Sequence, residues 1–451
     1  MNNKNVIALA IAGTVLVGCN SDSDSNSNST SNPGDNPENS TFTVIDGYIN
    51  NAFICARETV EEACAYTTTT DVKGQFSLPP EYADMLITAD IVGGLSSDSD
   101  TLGVSAHSYT MIAVNTEQLI TPFTSIAKMS DLSVEDIASE IGVTVEELTS
   151  DYVASDDTKV HLYARTLASQ LNYKSVEDAS KTLMSVVKET KSLIEQLEQD
   201  HGSDFDFSTI TVDIEIDYNG NVNASSLPRV SNLSDFLEIS KDSQSLPIYS
   251  ASLNPSYFDQ EGIFLATFKD GATTSGNETW KYEIDGLQLI FEDGEVDEFI
   301  YVSNHLALGV VTGDKDLNIY AQQDLITNGK FTENELVGKT LYFVADDSTG
   351  VNPDPMFAEL KFEETSVTIT EGVESFSVGY EISSDTGALH IRLSEESVGD
   401  NDMVMYRSLS NQHMLIGFDQ STQTFVLNFY DKAFAEKIYQ DWSNLASSDN
   451  N

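Results

Sequence analysis

The second half of the chain repeats one pattern of short β-strands, and this repeat limits the possible folds more than any other feature. YEIDGLQLIF (residues 282–291) is similar to YEISSDTGALHIRL (380–393), and NHLALGVVTGDKDLNIY (304–320) is similar to NQHMLIGFDQSTQTFVLNFY (411–430). Apolar and polar residues alternate in these runs, which is typical of strands. The two parts keep the same order in both halves. We therefore predict a tandem duplication of an antiparallel β unit, residues 247–327 and 328–442.

Each predicted unit has enough strands for a small barrel or sandwich. ELVGKTLYFV (335–344), which opens the second unit, resembles the first strand of lipocalin-like barrels. Such a barrel could hold an apolar ligand, although small barrels are usually filled by their own side chains. The candidate cavity residues are Met403, Met405, Tyr406, Met414 and Phe418. Helical spacing over residues 431–442 predicts a helix that plugs or flanks a sheet, and residues 443–451 are expected to be a disordered tail.

Residues 41–115 open with TFTVIDGYINNAFICARETVEEACAYTTTTDVKGQFSLPP, in which alternating runs are separated by turn residues. The pattern predicts short strands, the first over residues 44–48. DGYI, the two cysteines, TTD and GQF resemble the N-terminal module of accessory colonization factor-type lipoproteins of gammaproteobacteria. The resemblance implies a β-sandwich similar to transthyretin and to carboxypeptidase-regulatory modules. Calcium does not transfer with it, because ARETVEEA between Cys55 and Cys64 lacks oxygen ligands at alternate positions.

The resemblance continues through LITPFTSIAKMSDLSVEDIASEIGVTVEELTSDYV, which is similar to the helical unit that follows the sandwich in those lipoproteins. We predict a helical unit over residues 116–202. Ser133 and Thr144 are each followed three residues later by an acidic residue, the spacing of a helix cap. Two longer helices are predicted over residues 157–172 and 176–199. A connecting segment, residues 203–246, contains a strand and an Asn-Gly turn.

The N-terminus has the layout of a lipoprotein signal. Residues 1–18 combine a charged start with an apolar run too short to cross a bilayer, which takes about 20 residues. LVGC resembles the lipobox of bacterial lipoproteins, which implies cleavage before Cys19 and a diacylglycerol thioether on Cys19. Asn20 favours the outer membrane and leaves open on which face the chain lies. Residues 19–40 are polar throughout and predict a disordered tether. An ordinary signal peptide with a chance cysteine is the alternative.

Charge and cysteine content narrow the possible partners. The chain has 22 Lys and Arg against 73 Asp and Glu, a formal charge of −51. Nucleic-acid binding is therefore excluded, since no basic patch is available to neutralise phosphates. The expected partners are the membrane, through the lipid on Cys19, and an unidentified protein or glycan. An exported chain meets an oxidising compartment, so Cys55 and Cys64 are expected to form a disulfide.

The sequence contains no recognisable catalytic motif. HExxH, G-x-S-x-G, the P-loop and Cys-x-x-Cys-His are all missing, and so is the zinc peptidase motif of the resembling lipoproteins. We therefore predict no catalytic residues, no metal and no cofactor. The leading hypothesis is a non-enzymatic, membrane-anchored envelope lipoprotein that presents its β domains for binding. The alternatives are a lipocalin-like carrier of an apolar ligand and a hydrolase with an unrecognised site.

Overall fold

Strands dominate the fold, which is multidomain and mainly β. The computed structural model describes residues 40–113, 118–130, 132–171, 176–216, 221–241, 244–325, 329–392, 402–410, 413–419 and 422–447, all within the unit Asn39–Asn451. The predicted signal segment, Cys19 and the predicted tether up to residue 39 lie outside the described residues.

The N-terminal part consists of short strands in two main sheets and one two-stranded ribbon. The sheets have the orders β5-β1-β9 and β4-β3-β6-β8, and the ribbon pairs β2 with β7. The strands are β1 Ser40–Val44, β2 Ile49–Asn50, β3 Phe53–Arg57, β4 Tyr66–Thr69, β5 Gln75–Leu78, β6 Leu86–Ile91, β7 Ser97–Asp98, β8 Tyr109–Ala113 and β9 Leu119–Ile120. Alternate residues such as Phe42, Ile54 and Phe76 face a shared core, an arrangement consistent with the predicted β-sandwich. β1 lies earlier than predicted, because residues 45–48 form a turn.

Five helices follow the sheets. They are α1 Pro122–Met129, α2 Val134–Ile141, α3 Val145–Thr149, α4 Thr158–Ala168 and α5 Val176–His201. The two predicted caps are present. The Ser133 side chain accepts a hydrogen bond from the backbone N–H of Asp136, and the Thr144 side chain accepts one from the backbone N–H of Glu147. The apolar faces of the helices pack into the same core as the sheets, so the two predicted N-terminal units share one hydrophobic core.

The predicted connecting segment is divided between its two neighbours. β10 Ile210–Ile216 and β11 Val222–Pro228 form a hairpin whose Val212 and Val222 join the core of the helical unit. The predicted turn residues Asn219 and Gly220 lie outside the described residues. Next come α6 Leu233–Leu237 and a small ribbon, β12 Ser240–Lys241 and β13 Gln244–Ser245. The apolar side chains of α6 pack with the first barrel.

The first predicted β unit is a closed, eight-stranded antiparallel barrel. Its elements are β14 Pro247–Ser252, α7 Pro255–Glu261, β15 Phe264–Lys269, β16 Ala272–Ser275, β17 Glu278–Asp285, β18 Gln288–Phe291, β19 Val296–Val302, β20 Leu306–Val311 and β21 Leu317–Ala321. Each strand pairs with the next along the chain, and β14 pairs with β21 to close the ring. Leu233, Phe236 and Leu237 of α6 pack against inward-facing residues such as Ile248 and Phe268.

The second predicted unit is another closed, eight-stranded antiparallel barrel. Its elements are α8 Glu333–Leu336, β22 Thr340–Asp346, β23 Pro355–Phe362, β24 Ser366–Glu371, β25 Glu374–Ile382, β26 Leu389–Arg392, β27 Asp402–Ser410, β28 Met414–Asp419 and β29 Thr424–Phe429. β22 pairs with β29 to close the ring. The predicted C-terminal helix is α9 Lys432–Ser447. It runs on into the segment predicted to be a tail, because Trp442 and Leu445 pack against the core between the barrels.

Local details support the predicted duplication. The similar segments form the fourth and fifth strands, and the seventh and eighth strands, of each barrel. The sixth strand of each barrel has a bulge, directly after Phe299 in one and after Arg407 in the other. These two residues pair with Gly309 and Gly417. A Cβ on either glycine would come within about 3.1 Å of a neighbouring side chain, so both barrels place a residue without a side chain where the available space is tight.

The two barrels pack side by side. The outward faces of β20 and β21 in the first barrel meet those of β28 and β29 in the second, and α9 packs against both. Phe258 of α7 lies against Phe418 and Phe425 at ring-centroid distances of 5.8 and 5.4 Å. The seventh strands and β29 are therefore buried on both faces.

Candidate ligand-binding site

The interior of the first barrel contains a cavity of about 460 Å³. Its lining follows the two-residue period of the strands, since successive side chains of a strand point to opposite faces. One end is covered by α6 and the other is open to solvent beside α7. The lining includes Ile248, Ser250, Ser252, Tyr257, Phe264, Ala266, Phe268, Thr273, Trp280, Phe291, Asp293, Glu295, Asp297, Asp314, Asp316, Asn318 and Tyr320.

The second barrel has larger apolar side chains at the matching inward positions. The strand registers align Ser250 of the first barrel with Phe343 of the second. Each residue directly follows a tyrosine, Tyr249 or Tyr342, that pairs with the last residue of the eighth strand of its barrel. The same registers align Ala266 with Leu360, Asp297 with Met405 and Asn318 with Val426. Phe343, Leu360, Met405 and Val426 are all buried in one apolar core. One copy of the duplicated fold is therefore filled, and the other has a polar cavity.

Two buried carboxyl groups line this cavity. Asp297 accepts a hydrogen bond of 2.7 Å from the Tyr320 hydroxyl, and Asp316 accepts one of 2.9 Å from the Ser252 hydroxyl. Burial raises the pKa of Asp297 to about 7, and the nearby Glu295 adds to the effect. Burial also raises the pKa of Asp316 to about 7, with a further contribution from Asp346. Both groups are thus poised to change charge near neutral pH.

Several polar atoms of the lining have no hydrogen-bond partner in the described chain. They are Asp316 Oδ1, Thr273 Oγ1 and Asn318 Oδ1. Asp316 is 3% exposed and Thr273 is 2% exposed. A buried polar atom without a partner costs on the order of 1–3 kcal/mol unless water or a ligand satisfies it. The cavity therefore offers unused hydrogen-bonding capacity along its lining.

The open end combines aromatic rings with further carboxylates. Phe264 and Trp280 lie side by side with ring centroids 6.3 Å apart, and Phe264 is 44% exposed. Tyr257 reaches the cavity from α7, a helix that begins where the Asn254 side chain accepts a backbone hydrogen bond of 2.9 Å. The exposed carboxylates here are Asp293, Glu295 and Asp314.

A second cluster of ionisable groups lies in the N-terminal part. Asp46, Asp98 and Asp100 form the one group of three possible metal-ligand side chains found among the described residues. Asp100 contacts His161 Nε2 at 2.5 Å, Arg229 at 3.3 Å and Arg165 at 3.6 Å. The cluster was not predicted, because its members come from separate segments of the chain.

The charges in this cluster largely neutralise one another. Burial raises the pKa of Asp46 and that of Asp98, the latter to about 6. Burial also opposes ionisation of Asp100, but its contacts with His161, Arg165 and Arg229 together lower its pKa. Two guanidinium groups thus balance carboxylates that would otherwise attract a cation. We interpret this cluster as an ionic network that joins the sheets, α4 and the segment after β11.

The structure places the other predicted site residues as follows. Cys55 and Cys64 form the predicted disulfide, with an S–S distance of 2.04 Å. Met414 and Phe418 do not line a cavity, because both point outward into the core between the barrels. Met405 faces the packed interior of the second barrel. Cys19 lies outside the described residues.

Sequence reasoning missed the lining of the first barrel, although the sequence carries a signal for it. Acidic and polar residues recur at every second position in Asp293, Glu295 and Asp297, and again from Asp314 to Tyr320. A period of two puts each set on one face of the chain. The pattern is usually that of a solvent-facing side, and only closure of the barrel turns this side inward.

No family model, curated protein or solved structure matches this chain. Among the described helices, none has the length and apolar character needed to span a membrane.

Proposed function

We propose that this chain is a membrane-anchored, small-molecule-binding lipoprotein of the bacterial cell envelope, and that its first barrel holds the ligand. One observation carries the proposal: the two barrels share an architecture, yet one has a packed interior and the other a cavity of about 460 Å³. This volume is within the range of small-molecule sites. The filled barrel shows that the fold does not itself require a cavity.

The lining favours a polar ligand over the apolar ligand of the carrier hypothesis. Five carboxylates face the cavity, and Thr273, Asp316 and Asn318 each have an unpartnered polar atom there. An apolar ligand would leave these atoms unsatisfied at a cost in affinity. The ligand is therefore expected to satisfy them. Binding alone accounts for the site, so we propose no catalytic step.

The rest of the proposal concerns location and rests on the N-terminal sequence. The lipobox cysteine Cys19 would carry the lipid, and residues 19–40 would act as the tether. The resemblance of residues 41–115 to a module of surface lipoproteins supports an outer-membrane location. We propose that the barrels act in the envelope, near the membrane to which Cys19 is attached.

The test exploits the duplication. Ser250→Phe introduces into the first barrel the side chain that the second barrel has at the matching position, and Ser377→Phe adds the same bulk on an exposed strand position. The full-length lipoprotein and both variants are screened by thermal shift against a library of envelope metabolites. We expect compounds that raise the Tm of the wild type and of Ser377→Phe, but not that of Ser250→Phe. Compounds that stabilise all three proteins equally would refute binding in the cavity.

A second candidate function is presentation of a protein-binding face. It is favoured by the hairpin of β24 and β25, where Val373 at the turn is 101% exposed and Phe376 is 48% exposed. Apolar side chains that are exposed close together can form part of a contact surface. Replacing both with Asp should abolish capture of an envelope partner in cross-linking experiments while leaving ligand-induced thermal shifts unchanged. Unchanged cross-linking would remove the support for this candidate.

A further inference from the structure

We infer that the cavity of the first barrel binds a small organic ammonium ion that also carries hydrogen-bond donors. This inference rests on the proposed function, since it names the class of ligand for the same cavity. Three features of the lining lead to it: the sign of its charges, the position of its aromatic rings and its unsatisfied acceptors.

The charges are of one sign. Each formally charged side chain that lines the cavity in the described part of the chain is a carboxylate, and no Lys, Arg or His lies among the lining residues. A cavity with walls of low dielectric constant strengthens the attraction between such carboxylates and a cation. An anion would be repelled.

The aromatic rings at the open end favour an organic cation. A cation over the face of Trp, Tyr or Phe is attracted by the ring quadrupole, and sites for ammonium ligands use groups of such rings. Phe264, Trp280 and Tyr257 stand at this position beside the exposed carboxylates. The rings would contact the alkyl groups of an ammonium ion, whereas a metal ion would gain nothing from them.

The carboxylates are also too dispersed to hold a metal ion. A calcium site needs six to eight oxygen ligands that converge within about 2.6 Å of one point. Among the described residues, the one converging group of three is Asp46, Asp98 and Asp100, outside the barrel. In the cavity the acids are instead interleaved with aromatic and hydroxyl side chains around the ring of strands.

The unsatisfied atoms of the lining favour a ligand that carries hydrogen-bond donors. The unpartnered Asn318 Oδ1 and, in the ionised form of the carboxyl group, Asp316 Oδ1 can only accept hydrogen bonds, and Thr273 Oγ1 can accept or donate. A hydroxyl or amine N–H on the ligand would satisfy them. The chemistry therefore fits amino alcohols and short diamines better than a purely alkylated ammonium ion.

The test uses tryptophan fluorescence, because the chain has two tryptophans: Trp280 lines the cavity, whereas Trp442 is fully buried and is not among the lining residues. The full-length lipoprotein is titrated with choline, putrescine and the uncharged tert-butyl analogue of choline. We expect at least one cation to change the emission of Trp280 and to bind at least about tenfold more tightly than the uncharged analogue. Trp280→Phe should abolish the fluorescence change, and calorimetry on this variant should show weaker binding.

Matched variants test the role of the carboxylate. Asp316→Asn should weaken binding of the cation at least about tenfold, whereas Asp285→Asn, an exposed position on the same barrel, should leave it unchanged. Circular dichroism confirms that both variants are folded. Equal binding of the uncharged analogue, equal effects of the two variants, or preferred binding of calcium or an anion would each overturn the inference. The proposed function would then still stand if library compounds raise the Tm of the wild type and of Ser377→Phe but not that of Ser250→Phe, because that comparison does not depend on the charge of the ligand. Failure of every library compound would instead refute the proposed function.

Discussion

Binding of a permanent cation to the first barrel should become tighter as the pH rises from 6 to 8. The pKa values of Asp297 and Asp316 are both raised to about 7 by burial, so each carboxyl group is mostly protonated at pH 6 and mostly ionised at pH 8. Choline does not change its charge in this range. Its affinity therefore follows the fraction of ionised carboxyl groups.

The size of the effect follows from these pKa values. A group with a pKa of about 7 is roughly 10% ionised at pH 6 and roughly 90% ionised at pH 8, which gives about a tenfold change in affinity per carboxylate. If both carboxylates contact the cation, the change is about a hundredfold. Burial raises the pKa of Tyr320, which therefore stays neutral throughout. The other titratable groups that face the two carboxyls or the cavity are Tyr257, Asp293, Glu295, Asp314 and Asp346.

Isothermal titration calorimetry at pH 6, 7 and 8 measures the affinity, and buffers of different ionisation enthalpy report the protons released. At pH 7 we expect release of about half a proton per carboxylate. The double variant Asp297→Asn/Asp316→Asn should flatten the pH profile, and the exposed-site variant Asp285→Asn should retain it. An affinity that is flat or falls between pH 6 and 8 in the wild type would refute the reasoning.

Three further predictions concern stability. Asp100→Asn removes the carboxylate that contacts two largely buried guanidinium groups and should lower the free energy of unfolding by about 3 kcal/mol. Glu363→Gln in an exposed ion pair should change it by less than about 1 kcal/mol. Urea denaturation compares the two variants, and equal effects would contradict the ionic network. Trp442→Ala removes a fully buried ring that packs α9 between the barrels and should cost about 4 kcal/mol, so an unchanged Tm would argue against that packing. Cys55→Ser/Cys64→Ser opens a short loop and should cost about 2.5 kcal/mol in the same assay, provided that the wild type is not reduced.

Much of the local structure could be predicted from the sequence. The helix that begins at Val176 starts where the second long helix was predicted, and the caps at Ser133 and Thr144 are formed. These features depend on contacts between residues a few positions apart. The duplication was also predictable, because the order of similar strand pairs is a property of the sequence alone.

Two of the five candidate cavity residues point out of the barrel, for a physical reason. Met414 and Phe418 belong to a strand that is buried on both faces, one inside the barrel and one against the neighbouring barrel. Apolar residues on such a strand do not reveal which face points inward. The outward direction of both side chains is fixed by strand pairing around the ring.

The sequence by itself determined that this chain contains a doubled antiparallel β unit behind a helical unit, since alternation, turns and caps act over a few residues. The tertiary structure alone decided which copy is hollow. That outcome depends on the summed volume of inward side chains from all eight strands, such as Ser250 and Asn318 in one barrel against Phe343 and Val426 in the other. The tertiary structure also brought Asp297 and Asp316 into the same cavity of low dielectric constant, because strands that are distant in the chain become neighbours only when the barrel closes.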